Sequence, residues 1–225
     1  MKNCSEMASR FLENIPPVTR NLLYLNVIMF VATLINPVFM KGTFAMAFPL
    51  AQDFRWWQPL THMFMHENFM HIFFNMYTLV MFGMVVERAL GTERFIWFYL
   101  ITGFGAVALH TGVEFLEAGS LLKQYPGVDP QAIYNSIPGV LGASGAVYGV
   151  LVGFAMLYPN ARMTLIFPPI TLDAKWWVGI FVAIELFTGI TGTQMGIAHF
   201  AHLGGALFGF LLILYWRKNG KIYRY

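Results

Sequence analysis

The sequence predicts an all-α membrane protein in which six helices cross the bilayer and both ends of the chain lie in the cytoplasm. The first observation is composition: 11% of the 225 residues are charged and 57% are apolar, whereas a soluble domain carries about 25% charged residues. The second is spacing, because the charges are clustered and the stretches between them match the roughly 20 residues that a spanning helix needs. Disorder is excluded, since it requires low hydrophobicity and high charge.

The six helices follow from these stretches in chain order. Three uncharged stretches of about 20 residues come first, and a fourth, longer one ends in an apolar run. After Lys175 only Glu185 interrupts an apolar region that reaches Trp216, and three glycines divide this region into two helices. We therefore expect spans over residues 21–40, 68–87, 95–114, 141–158, 175–191 and 198–216.

Basic residues predict the orientation of these helices. The expected boundaries put eleven of the fourteen Lys and Arg residues on the side that holds both ends of the chain, and only Lys41, Arg55 and Lys123 on the other. Loops on the cytoplasmic side carry the excess of Lys and Arg, so both ends are expected in the cytoplasm. We expect no cleavable signal peptide ahead of the first span, because the first twenty residues are polar. The expected organisation is one membrane domain with a tail at each end, over residues 1–20, 21–216 and 217–225.

Three helices that enter from the external side begin with polar residues at similar depth. His71 and Asn75 lie one turn apart on the second span, Ser144 lies at the start of the fourth, and His202 lies at the start of the sixth. At 1.5 Å per residue these groups are roughly 5–10 Å inside the membrane. Polar side chains at such depth are costly and indicate a function.

Taken singly, these residues have structural interpretations, because serine among glycines allows close helix packing and histidines often bridge helices. Taken together, they supply a nucleophile, a general base and an oxyanion site. We expect Ser144 as the nucleophile, His202 as the general base, and His71 and Asn75 as oxyanion donors with the Ser144 amide. Tyr148, one turn after Ser144, either packs on the imidazole and holds its orientation or is an ordinary packed side chain in the interior of the bundle.

These residues lie in motifs that resemble those of the rhomboid intramembrane serine proteases, over nearly the whole chain. Four motifs stand in the expected order: His66-x4-His71-x3-Asn75, Glu87-x3-Gly91-x3-Phe95, Gly142-x-Ser144-Gly-x-x-Tyr148 and Ala201-His202-x-x-Gly205-x3-Gly209. The resemblance implies a six-helix rhomboid-like bundle and a Ser144–His202 dyad with no acidic third member, no metal and no other cofactor. It further implies supporting roles at the site for His66, Gly142, Gly205 and Gly209, and a structural role for Glu87 and Arg88.

Four polar residues have no assigned function. Gln58 stands where the family often has arginine, so the contacts of that guanidinium are in question. His110 is expected to be packed or hydrogen-bonded. Glu185 is a charge in the middle of a span and is expected to pair with His199 or another polar group. A direct catalytic role for Glu185 is not expected, since nothing in the sequence puts it beside His202.

The expected function is an intramembrane serine endopeptidase of the bacterial inner membrane that cleaves membrane-anchored proteins near the external face, with lateral access between the second and fifth spans. Two alternatives stay open, a non-proteolytic rhomboid-like membrane chaperone and a transporter that uses the histidines for proton or metal movement. A zinc site is disfavoured because His66 and His71 are five residues apart rather than four. The single cysteine, Cys4, excludes a disulfide framework. A net charge of +3 does not indicate nucleic-acid binding.

Overall fold

The computed structural model describes residues 12–165, 169–192 and 199–222 and is almost entirely helical. Its two short strands, β1 (Arg162–Thr164) and β2 (Thr171–Asp173), pair antiparallel. In chain order the helices are α1 (Pro17–Ile35), α2 (Pro37–Phe44), α3 (Gln58–Thr61), α4 (Phe69–Leu90, with a π-helical stretch at Leu79–Gly83), α5 (Thr92–Gln124), α6 (Pro130–Ser136), α7 (Ser144–Leu157), α8 (Ala174–Thr191) and α9 (His199–Lys218).

Five of the described helices, α1, α4, α5, α8 and α9, are long and apolar enough to cross a membrane. The apolar helix α7 has 14 residues, which at 1.5 Å per residue reach about 21 Å, less than the roughly 30 Å of a hydrocarbon core. These six helices correspond in order to the six predicted spans. The prediction of an all-α, multi-pass membrane protein is confirmed, whereas the side on which each end of the chain lies stays a prediction.

The first span differs from the predicted residues 21–40, because α1 covers Pro17–Ile35. Proline is favoured as the first helical residue, where its missing N–H is not needed. Asn36 ends the helix, since a residue before proline avoids the helical conformation, and its side chain accepts a 3.1 Å hydrogen bond from the backbone of α2. Of the tail expected over residues 1–20, the last four residues form the first turn of α1, and the first eleven, Cys4 among them, lie outside the described residues.

The third and fourth spans also differ from the prediction. Helix α5 continues to Gln124, well beyond the expected end at residue 114. Helix α7 begins at Ser144 rather than at residue 141, because Gly142 has a φ of +133°. Glycine adopts this conformation readily, and it interrupts a helix. The serine is therefore the first residue of its helix.

Helix α9 lies at the centre of the bundle and packs against α5 and α7. Small residues allow this close approach. A Cβ added to Gly205 would lie 1.8 Å from the carbonyl oxygen of Gly145, and one added to Gly209 would lie 2.9 Å from that of Gly149. Glycine is required at position 205, because the backbone of α7 occupies the space of a side chain. This contact brings the start of α7 beside the start of α9.

The loop between α1 and α4, residues 36–68, covers the end of the bundle at which α7 begins. Met46 and Val140 exchange two backbone hydrogen bonds of 2.9 Å, and the N–H of Gly142 donates to the carbonyl of His62 at 2.9 Å. These bonds connect the loop to the residues just ahead of Ser144. The position of the serine therefore depends on this loop as well as on α7.

Gln58, which stands at the position of the expected arginine, is buried inside this loop. Its Oε1 accepts hydrogen bonds from the N–H groups of Ala47 at 3.2 Å and Arg55 at 3.1 Å, and its Nε2 donates to the carbonyl of Asp53 at 3.0 Å. A neutral amide therefore holds three backbone groups of the loop together. The loop thus has three side-chain hydrogen bonds at this position without a guanidinium.

Glu87 connects α4 to the N-terminal end of α1. Its carboxylate accepts hydrogen bonds from the N–H groups of Val18 at 3.0 Å and Thr19 at 2.7 Å, and from the Thr19 hydroxyl at 2.7 Å. The first turn of a helix has free N–H groups and favours negative charge. The neighbouring Arg88 donates to the carbonyl of Asn14 at 2.8 Å. Glu87 and Arg88 thus lie at the end of α4 that is remote from the histidines.

Candidate active site

The hydroxyl of Ser144 and the imidazole of His202 are in hydrogen-bonding contact, with 2.8 Å between Oγ and Nε2. Ser144 is the first residue of α7, and His202 lies in the first turn of α9. The glycine contact between the two helices brings together residues that are 58 positions apart in the chain. A serine hydroxyl is a weak nucleophile until a base accepts its proton, and a neutral imidazole suits that task near pH 7.

Tyr148 lies one turn after the serine and stacks on the imidazole of His202. The two ring centroids are 4.5 Å apart and the planes are 7° from parallel. The Tyr148 hydroxyl donates to Oε1 of Glu185 at 2.5 Å. Of the two positions considered for this tyrosine, the structure has the one on the imidazole, where the ring restricts rotation of His202.

His71 faces the serine from α4. Its Nδ1 accepts a hydrogen bond from the N–H of Glu67 at 3.3 Å, so the neutral ring carries its proton on Nε2. A Cβ added to Gly142 would lie 2.9 Å from this Nε2 and 3.6 Å from Oγ of Ser144. The glycine therefore leaves open a space that is bordered by a nitrogen donor on one side and the serine hydroxyl on the other.

Asn75 and His66 lie on either side of His71. The Asn75 amide donates one hydrogen to the carbonyl of His71 at 2.9 Å, which leaves its second hydrogen for another acceptor. The His66 ring lies edge-on to the His71 ring, with 5.0 Å between centroids. Burial, together with the neighbouring His71, lowers the pKa of His66 to about 3. His66 therefore supports His71 as a neutral ring.

The serine, His71, Asn75 and Tyr148 line one cavity of about 490 Å³, bounded by α4, α7 and α8. Phe74 of α4 and Phe181 of α8 both contribute to the lining of this cavity. The other residues of its lining are Asn68, Met70, Thr78, Val147 and Leu151. A larger cavity of about 670 Å³ lies near Gly91 and Trp216, at the opposite end of the bundle. The chemistry of the side chains marks the smaller cavity as the candidate site.

A carboxylate that the sequence does not associate with the site lies next to His202. Oε1 of Glu185 is 2.9 Å from Nδ1 of His202, and Oε2 is 2.5 Å from Nδ1 of His199. The pairing with His199 agrees with the sequence-based expectation. The expectation that no acidic group accompanies Ser144 and His202 does not hold, because the Glu185 carboxylate lies next to His202. Hydropathy shows Glu185 only as a lone charge in an apolar helix, and the packing of α8 against α9 brings it next to His202. His110, in contrast, pairs with Glu114 at 3.2 Å within α5.

Comparison with known proteins assigns the family. Residues 53–219 match the family model described as the Rhomboid domain. Rhomboid protease AarA from Providencia stuartii is 29% identical over 164 residues, which cover 70% of this chain and 54% of that protein. RHOMBOID-like protein 4 from Arabidopsis thaliana is 31% identical over 163 residues, covering 69% and 33% of the two chains.

Rhomboid protein 1, mitochondrial, from Saccharomyces cerevisiae is 31% identical over 150 residues, covering 66% of this chain and 38% of that protein. The chain thus spans about a third to a half of the length of these relatives. The family model covers most of the chain, and the matched residues include helices α3 to α9, the serine and all the histidines discussed above. The chain therefore belongs to the rhomboid family of multi-pass membrane proteins.

Proposed function

We propose that this chain is an intramembrane serine endopeptidase that cleaves membrane-anchored proteins, with Ser144 as the nucleophile and His202 as the general base. The observation that carries the proposal is the 2.8 Å contact between Oγ and Nε2, with the serine on the lining of a cavity bounded by α4, α7 and α8. The similarity to a protein named as a rhomboid protease supports this activity.

The side chains at the site can carry out every proton transfer of an acyl-transfer cycle. As Oγ of Ser144 bonds to the scissile carbonyl carbon, its proton passes to Nε2 of His202 and the carbonyl oxygen becomes an oxyanion. Collapse of this intermediate breaks the C–N bond, and the imidazolium gives its proton to the leaving amine. Water then attacks the acyl-serine ester and loses a proton to His202. As the C–Oγ bond breaks, the imidazolium returns that proton to Oγ, and the carboxylic acid leaves.

Three donors surround the space in which the oxyanion would form. Nε2–H of His71 points toward Gly142, and Asn75 has an N–H that its bond to the His71 carbonyl does not use. The backbone N–H of Ser144 is also available, because the first N–H groups of a helix have no partner within it. Donors that are already oriented stabilise an oxyanion without reorganisation.

The short helix α7 supports a site that lies below the membrane surface. A helix of about 21 Å in a core of about 30 Å leaves the Ser144 end roughly 9 Å inside when the other end reaches the opposite face. The loop over residues 36–68 covers this end. Residues of both α4 and α8 line the cavity that contains the serine, which makes the gap between these two helices the proposed entrance. We propose that an unwound segment of a transmembrane substrate enters there from the external side of a bacterial inner membrane.

The test is cleavage of a transmembrane model substrate by the purified chain in detergent and in liposomes. We expect the wild type to cleave and to react with a fluorophosphonate probe, and Ser144→Ala and His202→Ala to lose activity by at least about 10³-fold. The control is His110→Ala, which removes a histidine paired within α5. A chelator should leave the rate unchanged.

The alternatives predict different outcomes in the same assay. Cleavage at wild-type rates by Ser144→Ala and by His202→Ala would show that these two residues are not the catalytic dyad. Substrate binding without cleavage by the wild type would favour a membrane chaperone. Ion flux into liposomes that depends on the histidines, again without cleavage, would favour a transporter.

A further inference from the structure

We infer that Glu185 is a positioning residue for the general base, so that the site works as a group of three, Ser144, His202 and Glu185. This inference rests on the proposed peptidase function and adds to it a residue that lies outside the four sequence motifs. The observation behind it is the meeting of α7, α8 and α9 at one carboxylate.

The two nitrogens of His202 face different partners, and this sets the position of the ring proton. Nε2 faces Oγ of Ser144 at 2.8 Å, and a neutral ring that accepts the serine hydrogen there carries its own hydrogen on Nδ1. Oε1 of Glu185 lies 2.9 Å from that Nδ1. The carboxylate therefore favours the tautomer that can accept the serine proton, and it neutralises the imidazolium that forms afterwards.

Glu185 is itself held in place from several sides. Tyr148 donates to Oε1 at 2.5 Å while its ring stacks on His202, so one residue fixes both the carboxylate and the base. On the other side, Nδ1 of His199 lies 2.5 Å from Oε2 and 3.2 Å from the hydroxyl of Thr188. With only 8% of its surface exposed, the Glu185 side chain is confined to this arrangement.

The electrostatic surroundings agree with a role in charge stabilisation. Among the described residues, Tyr148 faces the carboxylate from α7, and His199 and His202 face it from α9. His71 of α4 is close enough to His202 for the two rings to interact electrostatically. A carboxylate within an apolar helix is costly to bury, and here its two oxygens are directed at imidazoles. The cost is offset when one of those rings becomes positive during the reaction.

The test compares the wild type with Glu185→Gln and Glu185→Asp in the transmembrane-substrate assay. Glutamine keeps the size of the side chain and removes its charge. We expect kcat to fall about 10- to 100-fold with little change in KM, less than the roughly 10⁴-fold effect in aligned triads, because Nδ1 and Oε1 are at ion-pair distance without full hydrogen-bond alignment. The acid limb of the kcat/KM profile should move to lower pH by about one unit. Aspartate should restore the position of that limb and part of kcat.

A matched control is available in α5. Glu114 is also a buried carboxylate, 6% exposed, and is paired with a histidine, His110, at 3.2 Å. Glu114→Gln removes the same charge from the same kind of pair and should leave the pH profile in place. A purely structural role for Glu185 would lower the amount of active protein without moving that profile, so a partly folded variant still gives a decisive result.

The outcomes separate this inference from the proposed function. If the wild type cleaves, Ser144→Ala does not, and Glu185→Gln keeps both the wild-type kcat and the wild-type pH profile, the role of Glu185 is wrong and the peptidase stands. If the wild type neither cleaves nor reacts with the fluorophosphonate, the proposed function itself fails.

Discussion

The histidines near the serine differ in chemistry because their ring nitrogens face different groups. His71 accepts the N–H of Glu67 on Nδ1 and is therefore a donor on Nε2. His202 accepts on Nε2, where it meets the hydroxyl of Ser144. His66 is buried with neither ring nitrogen bonded to a described residue. A single residue type thus has three distinct hydrogen-bonding states within one site.

The first prediction at this scale concerns His71. His71→Ala should lower kcat/KM by about 10²–10³-fold, the usual effect of removing one oxyanion donor. Most of the loss should be in kcat, because the donor acts on charge that develops only in the transition state. Steady-state cleavage of the transmembrane substrate measures this, with His110→Ala as the control. Undiminished kcat in His71→Ala would remove His71 from the oxyanion site.

The second prediction concerns His62 and His66, in the loop between α1 and α4. Burial lowers their pKa values to about 4 and about 3, from 6.5 in the unfolded chain. Below pH 6.5 the unfolded chain binds protons that the folded chain does not, so the free energy of unfolding falls as the pH drops. We expect a loss on the order of 1 kcal/mol per pH unit for each histidine between pH 6 and 5.

Denaturation in detergent micelles at several pH values measures this slope. His62→Asn and His66→Asn should each flatten it, whatever their effect on stability at pH 7. Slopes equal to that of the wild type in both variants would show that the two histidines titrate normally in the folded chain.

At the scale of helices, the contact between α7 and α9 determines the distance between Ser144 and His202. Gly145 and Gly149 of α7 face Gly205 and Gly209 of α9, and the backbones touch where side chains would otherwise separate them. Small residues at four-residue spacing give such contacts in membrane helices. Because Ser144 directly precedes Gly145, any change in the separation of these helices changes the distance between Oγ of Ser144 and Nε2 of His202.

We therefore predict that Gly205→Ala is strongly disruptive. The new methyl group would lie 1.8 Å from the carbonyl oxygen of Gly145, so the helices must move apart. We expect a loss of about 1–3 kcal/mol of stability from overpacking, and a loss of activity near 100-fold, as for a displacement of about 1 Å at a reacting centre. Thermal unfolding and cleavage rates measure the two effects.

Gly179→Ala is the matched control for this substitution. Gly179 lies in α8, and an added Cβ would meet nothing within 4 Å. Stability and activity should be unchanged or slightly raised, because alanine is the better helix former. Equal effects of the two substitutions would mean that the close α7–α9 contact is not essential.

At the scale of the whole molecule, different contacts hold the elements together at the two ends of the bundle. The loop over residues 36–68 covers the serine end through its bonds to Val140 and Gly142. At the other end, Glu87 binds the first turn of α1. Apolar side chains cover the outer surface between the two ends, and Ile190 of α8 is among the most exposed of them. This surface suits contact with lipid.

The corresponding prediction is the orientation of the bundle. Because Cys4 is the only cysteine, Cys4→Ser gives a background for single-cysteine labelling. A cysteine at Gln52, exposed in the loop of residues 36–68, should react with a membrane-impermeant maleimide in intact cells. A cysteine at Lys218, at the end of α9, should react only after permeabilisation, because basic residues favour the cytoplasmic side. The opposite pattern would reverse the proposed orientation.

Much of the site could be anticipated from local pattern. The serine, His71, Asn75 and His202 each stand near the start of a predicted span, and the structure gathers them at one end of the bundle. Helix ends were less accurate, since hydropathy continues smoothly across Asn36 although the following proline ends α1 there. Hydropathy averages over many residues, whereas a helix end depends on the conformation of one.

The sequence by itself determined that this is a multi-pass membrane protein and where along the chain its apolar helices lie, because the length and apolarity of a helix are local properties. Only the tertiary structure decided that Glu185 lies beside His202 and that Gln58 holds the outer loop together. Contacts of that kind depend on the rotation and depth of each helix relative to its neighbours. Those quantities come from packing between residues far apart in the chain, which no local pattern contains.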